Sequence, residues 1–207
     1  MTEAQLRERL CLWGKSIFER GLTSGSSGNI SVRTDDGFLV TPTNSCLGLL
    51  DPSALAKLDL HGRPLSGDKP SKEVPLHMAY YDGRPVARAI VHLHSTYAVA
   101  WSCRADVDPL DALPPLTPYV LMRAGRIPIL PYTEPGTDQI RPYLLVAASR
   151  HAAVLLANHG PVVSGESLDA AVYAAEELEE AAKVAFLLEG RAVNHLSAAA
   201  IEQLLRR

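Results

Sequence analysis

The chain has 207 residues, 47% of them hydrophobic and 21% charged, which is enough for one globular domain with a sizeable core. Its formal net charge is −3, and its basic residues are scattered with few aromatics between them, which argues against nucleic-acid binding. The longest apolar stretch, residues 144–157, is interrupted by Ser149-Arg150-His151 and is too short to cross a bilayer. We therefore expect a single domain over residues 1–207, with neither a nucleic-acid nor a membrane partner.

The N-terminal residues lack the apolar segment of a signal peptide, and Cys11, Cys46 and Cys103 stand at no motif spacing. Isolated cysteines of this kind are typical of reduced thiols packed inside a cytoplasmic protein. We expect a cytoplasmic location and no sulfur-rich metal site.

Helical and strand patterns alternate along the first half of the chain. Apolar residues three or four apart predict an amphipathic helix from Thr2 that stops near Gly21. Two strand patterns, at residues 30–32 and 38–41, flank a turn and predict a hairpin. Residues 51–53 resemble a helix start, residues 58–60 a strand, and residues 74–81 a helix with Ser71 near its cap.

The second half continues in the same way. Residues 88–94 and 152–157 are apolar runs typical of buried strands, and residues 127–130 are a shorter strand candidate. Helices are predicted at residues 96–103, 138–149, 168–188 and 197–205, and a proline-rich loop at residues 108–119. This mixture indicates an α/β domain.

The predicted strand at residues 88–94 carries His92 and His94. Side chains two apart on a strand point the same way, so the two rings can share an ion. A catalytic zinc site usually takes three protein ligands, and a third imidazole is available at His159, in Asn158-His159-Gly160. The alternative is that these are core histidines whose hydrogen bonds are satisfied inside the protein.

Glu73 lies at the start of the predicted helix over residues 74–81. A glutamate there is usually favourable helix-dipole chemistry. Beside a Lewis-acidic metal, however, an unliganded glutamate is the natural general acid or base, and we expect burial to raise its pKa. We interpret His77, one helical turn further on, as a packing residue or a support for the ligands.

Small polar residues in three turns predict an anion site. The backbone N–H groups of Ser26-Ser27-Gly28-Asn29 can form a nest for an anion. Thr43, Asn44, Ser71 and Lys72 add hydroxyl, amide and ammonium groups that phosphate oxygens accept bonds from. Ordinary turn chemistry explains each turn alone, and only their conjunction with the histidines favours a phosphate site.

Five ordered segments resemble the class II sugar-phosphate aldolases, a group similar to L-fuculose-phosphate aldolase and L-ribulose-5-phosphate 4-epimerase. They are residues 26–33, 40–43, 71–73, 92–94 and 158–160. The resemblance implies a three-layer α/β/α fold with a largely antiparallel central sheet, and a homotetramer. It also implies one Zn²⁺ per chain on His92, His94 and His159, for which Mn²⁺ or Co²⁺ is possible, with Glu73 as acid or base and the three turns as the phosphate site.

Lys72 departs from the aldolase pattern, which has Ser-Ser-Glu where this chain has Ser71-Lys72-Glu73. With residues 113–123, this lysine looks more like the 3-oxo-tetronate 4-phosphate decarboxylase branch. In that reaction Zn²⁺ on the C2 hydroxyl and C3 carbonyl oxygens would stabilise the enediolate left when CO2 departs. Protonation by Glu73 or Tyr119 would then release dihydroxyacetone phosphate. In the aldolases, a tyrosine in the position of Tyr119 reaches a neighbouring subunit's site.

Three alternatives stay open. An aldolase that cleaves a sugar phosphate to dihydroxyacetone phosphate and an aldehyde would use the same metal and Glu73. A dehydratase of the same superfamily, acting on a phosphorylated thiosugar, would use Glu73 as its base. A metal-free binding module similar to the adducin head domain shares the fold without the histidines, and the three histidines here argue against it.

Overall fold

In the computed structural model, which describes residues 1–206, eight strands form one sheet with helices on both faces. The strands are β1 Asn29–Arg33, β2 Phe38–Val40, β3 Ala56–Leu58, β4 Pro64–Ser66, β5 Ala89–His92, β6 Ile129–Leu130, β7 Ala153–Leu156 and β8 Gly160–Gly165. The helices are α1 Glu3–Glu19, α2 Val74–Gly83, α3 Thr96–Ser102, α4 Pro118–Ala124, α5 Arg141–Ala148, α6 Leu168–Leu187 and α7 Ala198–Leu205. Short 3-10 turns cover Leu47–Leu49 and Asp138–Ile140.

The strand order is β4-β3-β2-β1-β5-β8-β7-β6, and every neighbouring pair is antiparallel except β6 and β7. The predicted largely antiparallel sheet is thereby confirmed. Because β1 and β5 run in opposite directions at the centre, Asn29 at the start of β1 pairs with His92 at the end of β5. This end of the two strands carries the site described below.

Two apolar cores lie on opposite faces of the sheet. Val91 and Leu155 point into the core that α1, α3, α4, α6 and α7 cover. Their chain neighbours Ile90 and Val154 point into the core that α2 and α5 cover, as expected for side chains that alternate along a strand. The result is the helix–sheet–helix layering that the sequence predicted.

The prediction of a helix beginning at residues 51–53 is wrong, because the chain forms a turn there. The Asp51 carboxylate accepts hydrogen bonds from the backbone N–H and the hydroxyl of Ser53, which closes a local turn instead of a helix. The chain then enters β3, two residues earlier than the strand predicted at residues 58–60. At Asp59 it turns again, because that carboxylate accepts from two backbone N–H groups that follow it.

Other elements also differ from the sequence predictions. Strand β8, which carries Val162 and Val163 between β5 and β7, was not predicted at all. Helix α4 begins at Pro118, inside the segment expected to be loop, because proline is tolerated in a first turn, where its missing N–H has no partner to lose. Strand β5 ends at His92 and not at residue 94.

Cys11, Cys46 and Cys103 are all free. Among the residues that the structure describes, no helix has both the length and the apolarity that crossing a membrane requires.

Candidate active site

Three histidines from two parts of the sheet meet at one point. His92 ends β5, His94 follows two residues later, and His159 lies in the turn between β7 and β8. The His92 Nε2 atom is 3.2 Å from the Nε2 atoms of both His94 and His159. With Glu73, these residues offer four ligand atoms that lie within 4.8 Å of one another. The three histidines proposed as a metal site are therefore brought together.

The spacing of the nitrogens fits a divalent metal. Zinc–nitrogen bonds of about 2.0–2.1 Å in tetrahedral geometry place ligand nitrogens roughly 3.3 Å apart, close to the observed separations. The Nδ1–H group of His92 donates to the Pro161 carbonyl at 2.8 Å, which leaves the lone pair of its Nε2 directed at the cluster. Three imidazoles beside a carboxylate are a donor set suited to a transition metal ion.

Burial and charge set the protonation of the histidines. Burial, reinforced by the charge of His92, lowers the pKa of His94 and of His159 to about 4, so both are neutral ligands near pH 7. Burial also opposes a charge on His92, but the Glu73 carboxylate, 3.3 Å from its Nε2, outweighs burial and raises its pKa. A divalent cation bound at Nε2 competes with a proton for the same lone pair, so metal affinity should fall as the pH falls.

Glu73 is buried, and its two oxygens have different surroundings. Oε2 accepts a hydrogen bond from Asn29 Nδ2 at 2.7 Å. Oε1 has no hydrogen-bond partner among the described residues and lies 3.4 Å from His159 Nε2. Burial raises the Glu73 pKa, but the charge of His92 and hydrogen bonds from His92 and Asn29 more than offset burial and lower it. The expectation of a raised pKa is wrong, and Glu73 is a carboxylate.

The backbone of the β7–β8 turn explains the Asn-His-Gly motif. Asn158 has φ of 56°, a left-handed conformation that asparagine adopts more readily than most residues. Its N–H donates to the Ser102 carbonyl at 3.0 Å, which anchors the turn. A Cβ atom at position 160 would lie 2.6 Å from the Leu93 carbonyl oxygen, so only glycine fits. The motif packs His159 against the end of β5.

Glu179, which sequence reasoning missed, anchors the segment after His94. This buried carboxylate on α6 accepts hydrogen bonds from Tyr97 N at 2.9 Å and Ala98 N at 2.8 Å. These bonds give partners to backbone N–H groups in the first turn of α3, where the N-cap residue Ser95 makes no side-chain cap bond. No local pattern could reveal this contact, because more than eighty residues separate the partners in sequence.

The three predicted phosphate turns adjoin one another. Backbone bonds join Thr43 N to the Lys69 carbonyl at 2.9 Å and Ser71 N to the Thr41 carbonyl at 3.1 Å. The hydroxyl of Thr41 accepts from Ile30 N at 3.1 Å, which ties these two turns to β1. They lie beside Glu73, which follows Ser71 by two residues.

Several polar groups of these turns already have partners. Ser27 donates to the Ser24 carbonyl at 2.6 Å, and Ser71 accepts from Glu73 N at 3.2 Å. Ser71 lies near the start of α2, as predicted, but Glu73 is the N-cap residue and no side chain makes a cap bond to the helix. Gly28 has φ of +81° and packs its Cα against the end of β5, near the His92 carbonyl oxygen.

Most of the remaining predicted site residues are exposed. Ser26, Asn44 and Lys72 all face solvent, while Thr43 is half-buried. The Lys72 ammonium contributes to lowering the pKa of His94 and His159, after the larger effects of burial and His92, so its charge acts on the cluster. Tyr119 is 60% exposed on α4, and it does not line the spaces beside the histidines within one chain.

The fold and the His₃–Glu cluster are those of a class II aldolase domain, and the chain belongs to the Class II Aldolase and Adducin N-terminal domain family, which matches residues 8–186. It is 50% identical over 204 residues to 3-oxo-tetronate 4-phosphate decarboxylase of Pectobacterium atrosepticum, covering 98% of this chain and 94% of that protein. It is 35% identical over 166 residues to L-fuculose phosphate aldolase of Escherichia coli, covering 79% and 74%. The crystal structure of YgbL from Escherichia coli is 47% identical with a TM-score of 0.96, covering 98% and 99%. The predicted family is confirmed.

Proposed function

We propose that this protein is a metal-dependent carbon–carbon lyase that decarboxylates 3-oxo-tetronate 4-phosphate to dihydroxyacetone phosphate and CO2. One observation carries the proposal: a His₃ cluster with a buried, ionised Glu73 lies beside phosphate-type turns. Relatives that bear this activity in their names are 46% to 50% identical over nearly the whole chain.

We assign the metal to His92, His94 and His159, as one Zn²⁺ per chain, with Mn²⁺ or Co²⁺ as possible replacements. A divalent cation bound there supplies Lewis-acid stabilisation of the negative charge that develops as the carbon–carbon bond breaks. Pro161 holds His92 in the tautomer that presents Nε2, and Glu179 and the Asn-His-Gly turn orient the segments of the other two ligands.

Glu73 moves the proton. As a carboxylate it accepts the proton of the substrate's C2 hydroxyl on Oε1, the oxygen that has no hydrogen-bond partner in the chain. After CO2 has left, Glu73 delivers this proton to the C2 carbon, and solvent supplies the second proton, which restores the C2 hydroxyl and is the proton that the overall reaction consumes. Asn29 keeps Oε2 occupied throughout, so that one oxygen faces the substrate.

The substrate's phosphate and carboxylate are assigned to the turns and to Lys72. The backbone and side chains of Ser26, Ser27, Gly28, Asn29, Thr43, Asn44 and Ser71 form the proposed phosphate site. Lys72 adds a full positive charge to the same side of the cluster, where it can hold the carboxylate or the phosphate.

We also propose that the protein is a homotetramer in which Tyr119 serves a neighbouring copy's site as a second proton donor. The proposal rests on the family resemblance, and on Tyr119 and Met122, large side chains that α4 exposes at 60% and 49%. Sedimentation analysis should give four chains per particle. A fully active monomer at assay concentration would contradict this assembly. The cytoplasmic location and the single domain over residues 1–207 remain predictions.

Product analysis tests the reaction. The metal-loaded protein is incubated with 3-oxo-tetronate 4-phosphate of either C2 configuration, and CO2 and dihydroxyacetone phosphate are measured together. L-fuculose 1-phosphate serves as the competing substrate, because the chain is also similar to L-fuculose phosphate aldolase. We expect equal amounts of CO2 and dihydroxyacetone phosphate from one keto acid. Efficient cleavage of fuculose phosphate with no reaction of either keto acid would make the protein an aldolase.

Substituting Lys72→Ser separates the two reactions further. Hydrogen bonds to charged groups contribute about 1.5–3 kcal/mol, so the variant should lose on the order of ten- to a hundredfold in decarboxylation. Lys69→Ser is the matched control, because it removes the same charge from an exposed residue of the same loop while keeping the backbone bond to Thr43. We expect Lys69→Ser to leave the rate unchanged. Equal losses in both variants would show that only the general charge of the loop matters.

A further inference from the structure

A polar stripe on one helix faces a polar stripe on the central sheet. Glu73, the N-cap residue of α2, is followed at intervals of four residues by His77 and Tyr81 on the helix, and Asn29 and Ser31 are two residues apart on β1. Four residues advance about 6 Å along a helix and two residues about 6.6 Å along a strand, so successive polar side chains on the two elements have nearly the same spacing. The two sets of side chains interleave as one ladder.

Hydrogen bonds link every step of this ladder. Asn29 joins Glu73 to His77, with Nδ2 at 2.7 Å from Glu73 Oε2 and Oδ1 at 2.5 Å from His77 Nε2. Ser31 joins His77 to Tyr81, with Oγ at 2.6 Å from His77 Nδ1 and 2.9 Å from the tyrosine hydroxyl. All five side chains are buried, and none of these four bonds is open to solvent.

The ionised state of Glu73 decides which group donates and which accepts in each of these four hydrogen bonds. An ionised Glu73 can only accept, so the amide nitrogen of Asn29 faces it and the amide oxygen faces His77. His77 must then donate from Nε2 and accept at Nδ1 from the Ser31 hydroxyl, which in turn accepts from Tyr81. Burial lowers the pKa of His77 to about 3, consistent with the neutral ring that this order requires.

We propose that His77 and Ser31 are positioning residues that hold the Asn29 amide in one orientation, so that Glu73 is anchored through Oε2 and transfers protons through Oε1. The inference rests on the proposed function, in which Glu73 moves the proton. If His77 carried its proton on Nδ1, the Asn29 amide would turn and direct its oxygen at the carboxylate, which would repel Glu73. His77 thus decides the conformation of a side chain that it does not touch.

Kinetics of the metal-loaded enzyme test the positioning role. In His77→Leu, which removes both bonds, we expect kcat to fall roughly ten- to a hundredfold, with KM within about threefold and one metal per chain. His77→Gln keeps a donor for Asn29 Oδ1 and should restore most of the loss. The matched control is Tyr80→Phe, because Tyr80 is the buried neighbour on α2 whose hydroxyl bonds to the His151 carbonyl, outside the ladder. It should keep the parental kcat.

A purely structural ladder gives a different result. In that case His77→Leu lowers the melting temperature, but kcat per folded molecule stays within about twofold of the parent, and the proposal is overturned. If His77→Leu does not fold, Ser31→Ala takes its place with the same expected split between kcat and KM. An unchanged kcat in Ser31→Ala would then overturn the proposal.

Histidine ¹⁵N chemical shifts keep this test independent of the reaction. In the metal-loaded chain with ¹⁵N-labelled histidine, His77 should have a protonated Nε2 and an unprotonated Nδ1. The opposite tautomer, or a charged ring at pH 7, contradicts the ladder whatever the substrate is. Failure of the proposed reaction would instead appear as the absence of decarboxylation in the parental enzyme.

Discussion

Replacing Glu73 by glutamine removes the charge of the proposed proton carrier while keeping its shape. The amide oxygen of glutamine can accept the 2.7 Å bond that Asn29 Nδ2 now gives to Oε2, so the side chain stays anchored. Its NH₂ group then takes the place of Oε1, the oxygen without a partner beside His159. The variant therefore presents a donor where the reaction needs a base.

The expected loss of kcat follows from replacing the base by an amide donor. General acid–base catalysis contributes about 10²–10⁴ in rate, which is roughly 3–5 kcal/mol of the activation barrier. We expect kcat of Glu73→Gln to fall by that factor, while KM changes by less than about threefold because no substrate-binding group is removed. The three imidazole ligands are untouched, so the metal content should stay at one per chain.

Release of CO2 and elemental analysis of the same samples provide the measurement. Glu134→Gln is a suitable control, because Glu134 is an exposed carboxylate beside the same small cavity as Glu73, and among the described residues it makes no hydrogen bond or ion pair with Asn29 or the histidines. If Glu73→Gln kept more than about a tenth of the parental kcat at full metal occupancy, Glu73 would not be the group that transfers the proton.

Three further predictions concern the metal, the support of its ligands and pH. His94→Ala should abolish metal binding and activity in a folded protein, and full metal occupancy in the double variant His92→Ala, His94→Ala would contradict the assigned site. Glu179→Ala should lower the free energy of unfolding, measured with urea, by roughly 1–3 kcal/mol for each N–H left unpaired in α3, and a change below about 0.5 kcal/mol would refute its capping role. In the metal-free protein, His77 stays neutral down to about pH 3 while the unfolded chain takes up a proton near pH 6.5, so this histidine reduces stability by up to about 1.4 kcal/mol per unit as the pH falls between these values. His77→Gln should remove that part of the slope, and parallel stability curves for the two proteins would refute it.

The sequence by itself determined features that depend on near neighbours. The period of apolar residues located α1, because a helix repeats its buried face within a few residues, and the helices predicted at residues 96–103, 168–188 and 197–205 are present as α3, α6 and α7. The two-residue spacing of His92 and His94 indicated that their rings lie close together, and they do, although β5 ends at His92. The ordered motifs were specific enough to identify the family, which the match over residues 8–186 confirms.

Local signals failed where long-range pairing overrides them. Residues 51–53 carry the Asp-Pro-Ser pattern of a helix start, yet the chain turns there and pairs β3 with β2. Gly160 and Pro161 weakened the strand signal of β8, although two antiparallel neighbours hold this strand in the centre of the sheet. In both places the partner strands, which lie elsewhere in the chain, decided the structure.

Only the tertiary structure decided the charge of Glu73 and the identity of its supports. Any buried carboxylate has its pKa raised by desolvation, and the sequence predicted that much. The net shift of the Glu73 pKa is downward instead, because β5 places His92 3.3 Å from Glu73 and β1 places Asn29 in hydrogen-bond contact with it. Asn29 is 44 residues away in sequence. Coulomb and hydrogen-bond energies depend on the distance between atoms, and folding sets that distance independently of separation along the chain.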